Sequence, residues 1–148
     1  MVSVTGEEAL KNTGLLAPGS GVSYVKFDKP DYRILQTFEA PDGMCVVAFQ
    51  TDEMTALCPL TGQPDWYSVQ VSYMPAEKCV ESKSVKLYFG SFRDTGAFIE
   101  TIAKTIVDDW LEACAPCWVK VDITMKPRGG VAMNVVREGG DFTPCSTD

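Results

Sequence analysis

One cysteine and one aspartate, seven positions apart in "TALCPLTGQPDWYSV" (55–69), are of the types that covalent chemistry on an electrophilic carbon requires. Cys58 closes an apolar run. The step to Asp65 passes through Thr61, Gly62 and Pro64, which can turn the chain back so that both side chains face one cleft. A thiolate is the nucleophile, and a carboxyl group whose pKa is raised by burial can protonate whatever the sulfur attacks. The chain contains no histidine, so a Cys-His pair of the protease kind is not available. The plainer reading makes Cys58 a small buried apolar side chain and Asp65 a solvated turn residue, and spacing alone favours it.

Two further groups suit a ligand. In "ESKSVKLYF" Ser82, Lys83 and Lys86 recur at helical spacing, with Arg93 about two turns on, a set of donors that would neutralise a phosphate. Arg128 in "KPRGG" adds a cation from a turn. A solvated helix face with i, i+4 charge pairs explains the same lysines more simply. Glu100 falls in the first turn of a second helical segment, where the helix dipole favours a carboxylate. The same carboxylate could accept two hydrogen bonds from an amino-purine edge while Phe98 stacks on the ring.

These residues need a scaffold, and the hydrophobic pattern supplies one. "MCVVAFQTDEM" and "DWYSVQVSYM" are rich in β-branched and aromatic residues, and the second alternates Tyr67, Val69, Val71 and Tyr73 against Ser68, Gln70 and Ser72. After Pro75 the period changes. Val85, Tyr88, Phe89 and Phe92 predict a helix over 82–93, and Phe98, Ile102, Ile106, Trp110 and Leu111 a second helix that Pro116 must end. "CWVKVDITMKP" and "GVAMNVVREG" then read as two strands joined at a turn with two glycines. The order ββααββ implies an α+β domain, an antiparallel sheet with both helices on one face. Four strands leave two edges, which subunit association would cover. Residues 1–40, punctuated by Gly, Pro and Ser, read as an extended N-terminal arm, leaving 41–148 as the single folded domain.

Bulk properties narrow the function classes. The 148 residues, 45% hydrophobic and 22% charged, suit one globular domain, and no apolar stretch approaches the roughly 18 residues of a membrane span. Thirteen basic against twenty acidic residues give a net charge of -7, which argues against direct nucleic-acid binding. The N-terminus lacks the basic and then apolar pattern of a secretory signal, so a reducing cytoplasm and mostly free thiols are expected. Cys114 and Cys117 form a CxxC, but with no histidine and no second CxxC a metal site is not expected and buried or incidental cysteines are.

Taken together, "LCPLTGQPDW", "ESKSVKLYF", "SFRDTGAFIE" and "KPRGG" resemble, in order and spacing, the 7-cyano-7-deazaguanine reductases (QueF), the NADPH-dependent nitrile reductases of queuosine biosynthesis in tRNA modification. The resemblance runs from Met44 to Gly130 and is weak over the arm. It implies the tunnelling fold (T-fold), whose ββααββ subunits complete barrels by oligomerisation, by analogy as a decamer of two pentamers with sites between subunits. It implies that Cys58 attacks the nitrile carbon to form a thioimide, that Asp65 protonates the nitrogen, and that Glu100 and Phe98, with Glu81 and Ser82, hold the deazapurine. Ser82, Lys83 and Lys86, joined by Arg128, would bind NADPH. One position departs: Ile99 stands where the family pattern has a histidine before the glutamate, which bears on reduction more than on covalent capture. The resemblance thus leaves two other outcomes in view, an amidine-forming transferase acting on the same thioimide and a non-catalytic deazapurine binder.

Overall fold

The computed structural model describes residues 27–44 and 46–142. Four long strands, β2 (Val47–Leu57), β3 (Pro64–Met74), β5 (Trp118–Arg128) and β6 (Val131–Gly140), form one antiparallel sheet in the order β2-β3-β5-β6. Helices α1 (Ser82–Gly90) and α2 (Ile99–Cys114) lie between the two hairpins in sequence. Two short strands not anticipated from the sequence, β1 (Thr37–Glu39) and β4 (Lys78–Val80), pair antiparallel as a separate two-stranded sheet. Three residues each are too few to show a period, so only the fold reveals them.

The alternation in β3 decides which face is covered. Asp65, Tyr67, Val69, Val71 and Tyr73 are buried, whereas Trp66 and Gln70 are exposed. Val119, Val121 and Ile123 of β5 continue the same buried face, and α2 lays Ile102, Ala103, Ile106, Val107 and Trp110 into the common core. Trp110 is fully buried and meets Tyr88 edge-on, with ring centroids 5.5 Å apart. Both helices therefore serve one layer over one sheet face. At Gly139 a Cβ would lie 2.8 Å from a Val107 methyl, so this glycine is what lets α2 approach β6.

Several boundaries shift from the sequence reading. The first helix ends at Gly90 rather than 93, because Ser91, Arg93 and Thr95 continue as tight turns closed by backbone bonds to Tyr88, Gly90 and Phe92. Of the proposed arm, residues 1–26 lie outside the described residues. Residues 27–40 contain a 3₁₀ turn, Tyr32–Ile34, and strand β1, and they bury Phe27, Ile34 and Leu35 in the core. Cysteine usage also needs correction. Cys58, Cys79 and Cys114 are free thiols as expected, but Cys117 is disulfide-bonded. Cys117 lies in the turn before β5, where its carbonyl accepts from the Asp141 N–H at 2.8 Å. Among the described residues no helix is long and apolar enough to cross a membrane.

A half-buried acid adds a pH term to stability. Tyr88 donates its hydroxyl to Asp109 at 2.6 Å, and burial pushes the Asp109 carboxyl up to about 6 from its ordinary 3.8. The folded chain holds this proton more tightly than the unfolded chain, so the stability it contributes is present below about pH 4 and is lost as pH rises through 6. Asp109→Asn, which keeps an acceptor for Tyr88, should exceed the parent in stability at pH 8 by on the order of 1–2 kcal/mol. The gain should shrink toward zero near pH 4, as followed by urea unfolding at the two pH values.

Candidate active site

The chemistry-bearing residues converge at the end of the sheet where β2 gives way to β3. The Cys58 N–H donates to the Gln63 carbonyl at 2.8 Å, and the Gly62 N–H donates back to the Cys58 carbonyl at 2.9 Å. The loop is thus a closed turn in which Gly62 takes a φ of 69°, a conformation that costs glycine little. Ala56 pairs with Asp65 across the strands, so the chain folds back as the Gly-Gln-Pro sequence suggested. Asp65 is buried within β3 and is not the solvated turn residue of the plainer reading.

Arg128 completes the cluster from the other hairpin. Gly129 and Gly130, at φ 57° and 80°, form a two-residue turn with both positions left-handed, which lets β5 run to Arg128 before reversing. The Arg128 guanidinium donates to the Asp65 carboxylate as an ion pair and also hydrogen-bonds Cys58. Hydrogen bonds from Thr61, through its side chain and its backbone, and from the Leu60 backbone favour the thiolate, and Arg128 adds to them. Together they bring the Cys58 thiol down to about 7 from its ordinary 9.0, although the side chain is only 8% exposed. A cysteine with that titration is a nucleophile at neutral pH. Cys114, by contrast, is pushed up to about 12 by burial and is inert packing.

Glu100 reaches this neighbourhood through a feature that no sequence pattern signals. Leu57 forms an isolated parallel bridge with Gly96: the Leu57 N–H donates to the Thr95 carbonyl at 2.9 Å, and the Ala97 N–H donates to the Leu57 carbonyl at 3.1 Å. The bridge fixes the start of α2 beside Cys58, with Phe98 as its N-cap and Glu100 in its first turn, both exposed. Ile99 turns inward to the core. Tyr67 was read from the sequence only as a core strand residue. Its phenol is pushed up to about 12 by burial first, then by Asp65, Cys58 and Glu100, with Arg128 opposing. The charges of all four candidate residues are therefore felt at one hydroxyl.

The signature helix is placed differently. Glu81 is the N-cap of α1, its carboxylate accepting from the Lys83 and Ser84 N–H groups at 2.8 and 2.9 Å. A helix-capping duty thus holds this side chain in place. Ser82 and Lys86 line a cavity of about 340 Å³ between α1 and β2, together with Arg93, Thr55, Phe49 and Phe89. Lys83 does not line it, and Arg128 stands with Cys58 and Asp65 instead of with these cations. Two cations and hydroxyls beside an apolar wall fit the phosphate and ring portions of a dinucleotide.

Comparison with known proteins identifies the family. A family profile described as "QueF-like protein" matches residues 64–143. The NADPH-dependent 7-cyano-7-deazaguanine reductase of Anaeromyxobacter sp. (strain Fw109-5) is 44% identical over 111 residues, 74% of this chain and 91% of that protein. The enzyme of the same name from Synechococcus elongatus is 42% identical over 114 residues, 76% of this chain and 66% of that longer relative. Among solved structures, the archaeosine synthase QueF-Like in its apo form aligns with a TM-score of 0.62 at 25% identity, covering 71% of this chain and all of that one. Aligned over three quarters of its length with reductases that keep more than two residues in five, and matched by the family profile from β3 onward, the chain belongs to the QueF family.

Proposed function

We propose that this chain is an NADPH-dependent reductase that converts 7-cyano-7-deazaguanine to 7-aminomethyl-7-deazaguanine through a thioimide on Cys58. The relatives that bear this name support the activity and the cofactor. The observation that carries the mechanism is a buried cysteine titrating near 7 beside Asp65 and Arg128. In this reading the Cys58 thiol gives its proton to the Asp65 carboxylate as the sulfur adds to the nitrile carbon, a C–N π pair moves to nitrogen, and Asp65 hands that nitrogen the proton it has just taken. Arg128 then balances the carboxylate left behind. Glu100 and Phe98 hold the heterocycle at the mouth of the cleft, and Ser82, Lys86 and Arg93 hold the phosphates. When bound, NADPH supplies the hydrides that take the thioimide to the amine.

Leu60, Trp66, Phe98 and Val131 all lie at this end of the sheet and are at least half exposed in the single chain. A second copy covering them would shield the thioimide from water, which supports a ring-forming homo-oligomer with sites between subunits. Among the described residues β2 and β6 are the two edges of the sheet, β2 bridged only at Leu57, and such edges are where pairing with another copy continues a sheet.

Absorbance of NADPH and product mass test the reading together. Reduction predicts two NADPH oxidised for each nitrile consumed and an amine product, since a nitrile accepts two hydrides on that path. The 25% identity to an archaeosine synthase and the loss of histidine at Ile99 make amidine formation the second reading. It would appear as steady NADPH and an amidine product when ammonia is supplied, and that outcome would displace the reductase assignment. A bound ligand with neither product would indicate a binder.

A further inference from the structure

The hydroxyl of Tyr67 is a polar group for which the protein itself has no use. Asp65 and Tyr67 are two residues apart on β3, about 7 Å along the strand, and share its buried face. On β2, Met54 pairs with Tyr67 and Ala56 with Asp65, and Ala56 presents only a methyl group between Met54 and Cys58 on that face. The ring is buried, with the residue only 1% exposed, and the hydroxyl pairs with no described residue but is not among the fully enclosed polar atoms, so the small opening to solvent lies at the oxygen. Tyr73, on the same face of the same strand, shows the ordinary arrangement, accepting the Val80 N–H at 2.8 Å. A tyrosine whose ring is buried and whose hydroxyl alone is open presents that hydroxyl to whatever enters the opening. The charged groups bearing on this hydroxyl are Asp65, Arg128, Cys58 and Glu100, so the opening faces the candidate site.

We infer that Tyr67 is a further catalytic residue, whose O–H donates a hydrogen bond to the substrate nitrile nitrogen as the Cys58 sulfur adds to the adjacent carbon. The inference rests on the thioimide reading above and assigns to it a residue that neither motif nor spacing singled out. The donor's work is electrostatic. As the C–N π pair moves to nitrogen, negative charge develops there before Asp65 delivers its proton, and a fixed donor in a dry site stabilises that charge without reorganising. Burial and the acidic neighbours keep the phenol protonated across the neutral range, so it donates at every working pH. Glu100 and Phe98 recognise the heterocycle; Tyr67 would recognise the reacting group.

Tyr67→Phe keeps the ring and removes only the hydroxyl. The rate of Cys58 adduct formation with 7-cyano-7-deazaguanine, followed by intact mass without NADPH, should fall on the order of 10²-fold. Affinity for 7-deazaguanine, which lacks the nitrile, should stay within about threefold, and the melting temperature should stay within about 2 °C or rise, because no hydrogen bond of the fold is lost. An adduct rate within threefold of the parent's would overturn the role. So would an equal loss of 7-deazaguanine affinity, which would make Tyr67 a binding residue, or a fall in melting temperature beyond about 5 °C, which would make it structural. If the parent forms no adduct, the Cys58 reading falls and this inference with it; a fast parent and an equally fast Tyr67→Phe would remove the inference alone.

Discussion

Cys58→Ala should lose nitrile turnover by on the order of 10⁴-fold or more, while the chain folds and still binds the deazapurine. The size of the effect follows from the role: covalent capture is the first bond made, and without it neither Asp65 nor the cofactor has an intermediate to act on. The retained fold follows from the position. Cys58 is buried but stands outside the continuous hydrophobic core that α1 and α2 build on the sheet, and the backbone bonds of its loop, to Gln63 and from Gly62, do not involve the sulfur. Circular dichroism matching the parent, with NADPH consumption at background, is the expected pair of results. Substantial turnover in Cys58→Ala would mean that reduction proceeds on the free nitrile.

The second large effect is on pH. Because the Cys58 thiol titrates near 7, the rate of adduct formation should climb about tenfold per unit below that value and level off above it. The sign is that of a nucleophile: raising pH populates the thiolate. Thr61 is the largest cause of the lowered value, so Thr61→Ala should move the midpoint up toward the ordinary 9.0. Capture at pH 6 would then slow by a further order of magnitude or more, while the plateau at high pH is nearly kept. A stopped-flow series from pH 5.5 to 9.5 on both chains separates this from damage to the loop, which would lower the plateau as well.

How much of this was legible in the sequence differs by element. The four long strands and both helices were, because each carries enough residues to display its period: Tyr67 to Tyr73 alternate, and Ile102, Ile106 and Trp110 repeat along one helix face. The mini-sheet of β1 and β4 was not, since three-residue strands have no period to read. Within the site, Cys58 and Asp65 were legible as a spacing, but their burial was not. It depends on Arg128 arriving from a hairpin 63 residues away and on the Leu57 to Gly96 bridge. Arg128 was grouped with the phosphate-binding cations on charge alone, and the fold places it on Asp65. Glu81 shows the reverse: an acid just before a helical run is a capping signal that ligand chemistry overshadowed. Tyr67 had no signal of its own, because a buried aromatic in an alternating strand is what a core requires; only the unpaired hydroxyl sets it apart.

The central claim is that Cys58 forms the covalent link to the nitrile, and intact-protein mass spectrometry reads it directly. Incubated with 7-cyano-7-deazaguanine and no NADPH, the chain should gain one ligand mass, localised by peptide mapping to Cys58 and absent from Cys58→Ala. The buried Cys79 and Cys114 should remain unmodified. A chain that gains no mass, or a Cys58→Ala variant that gains as much as the parent, would contradict the account.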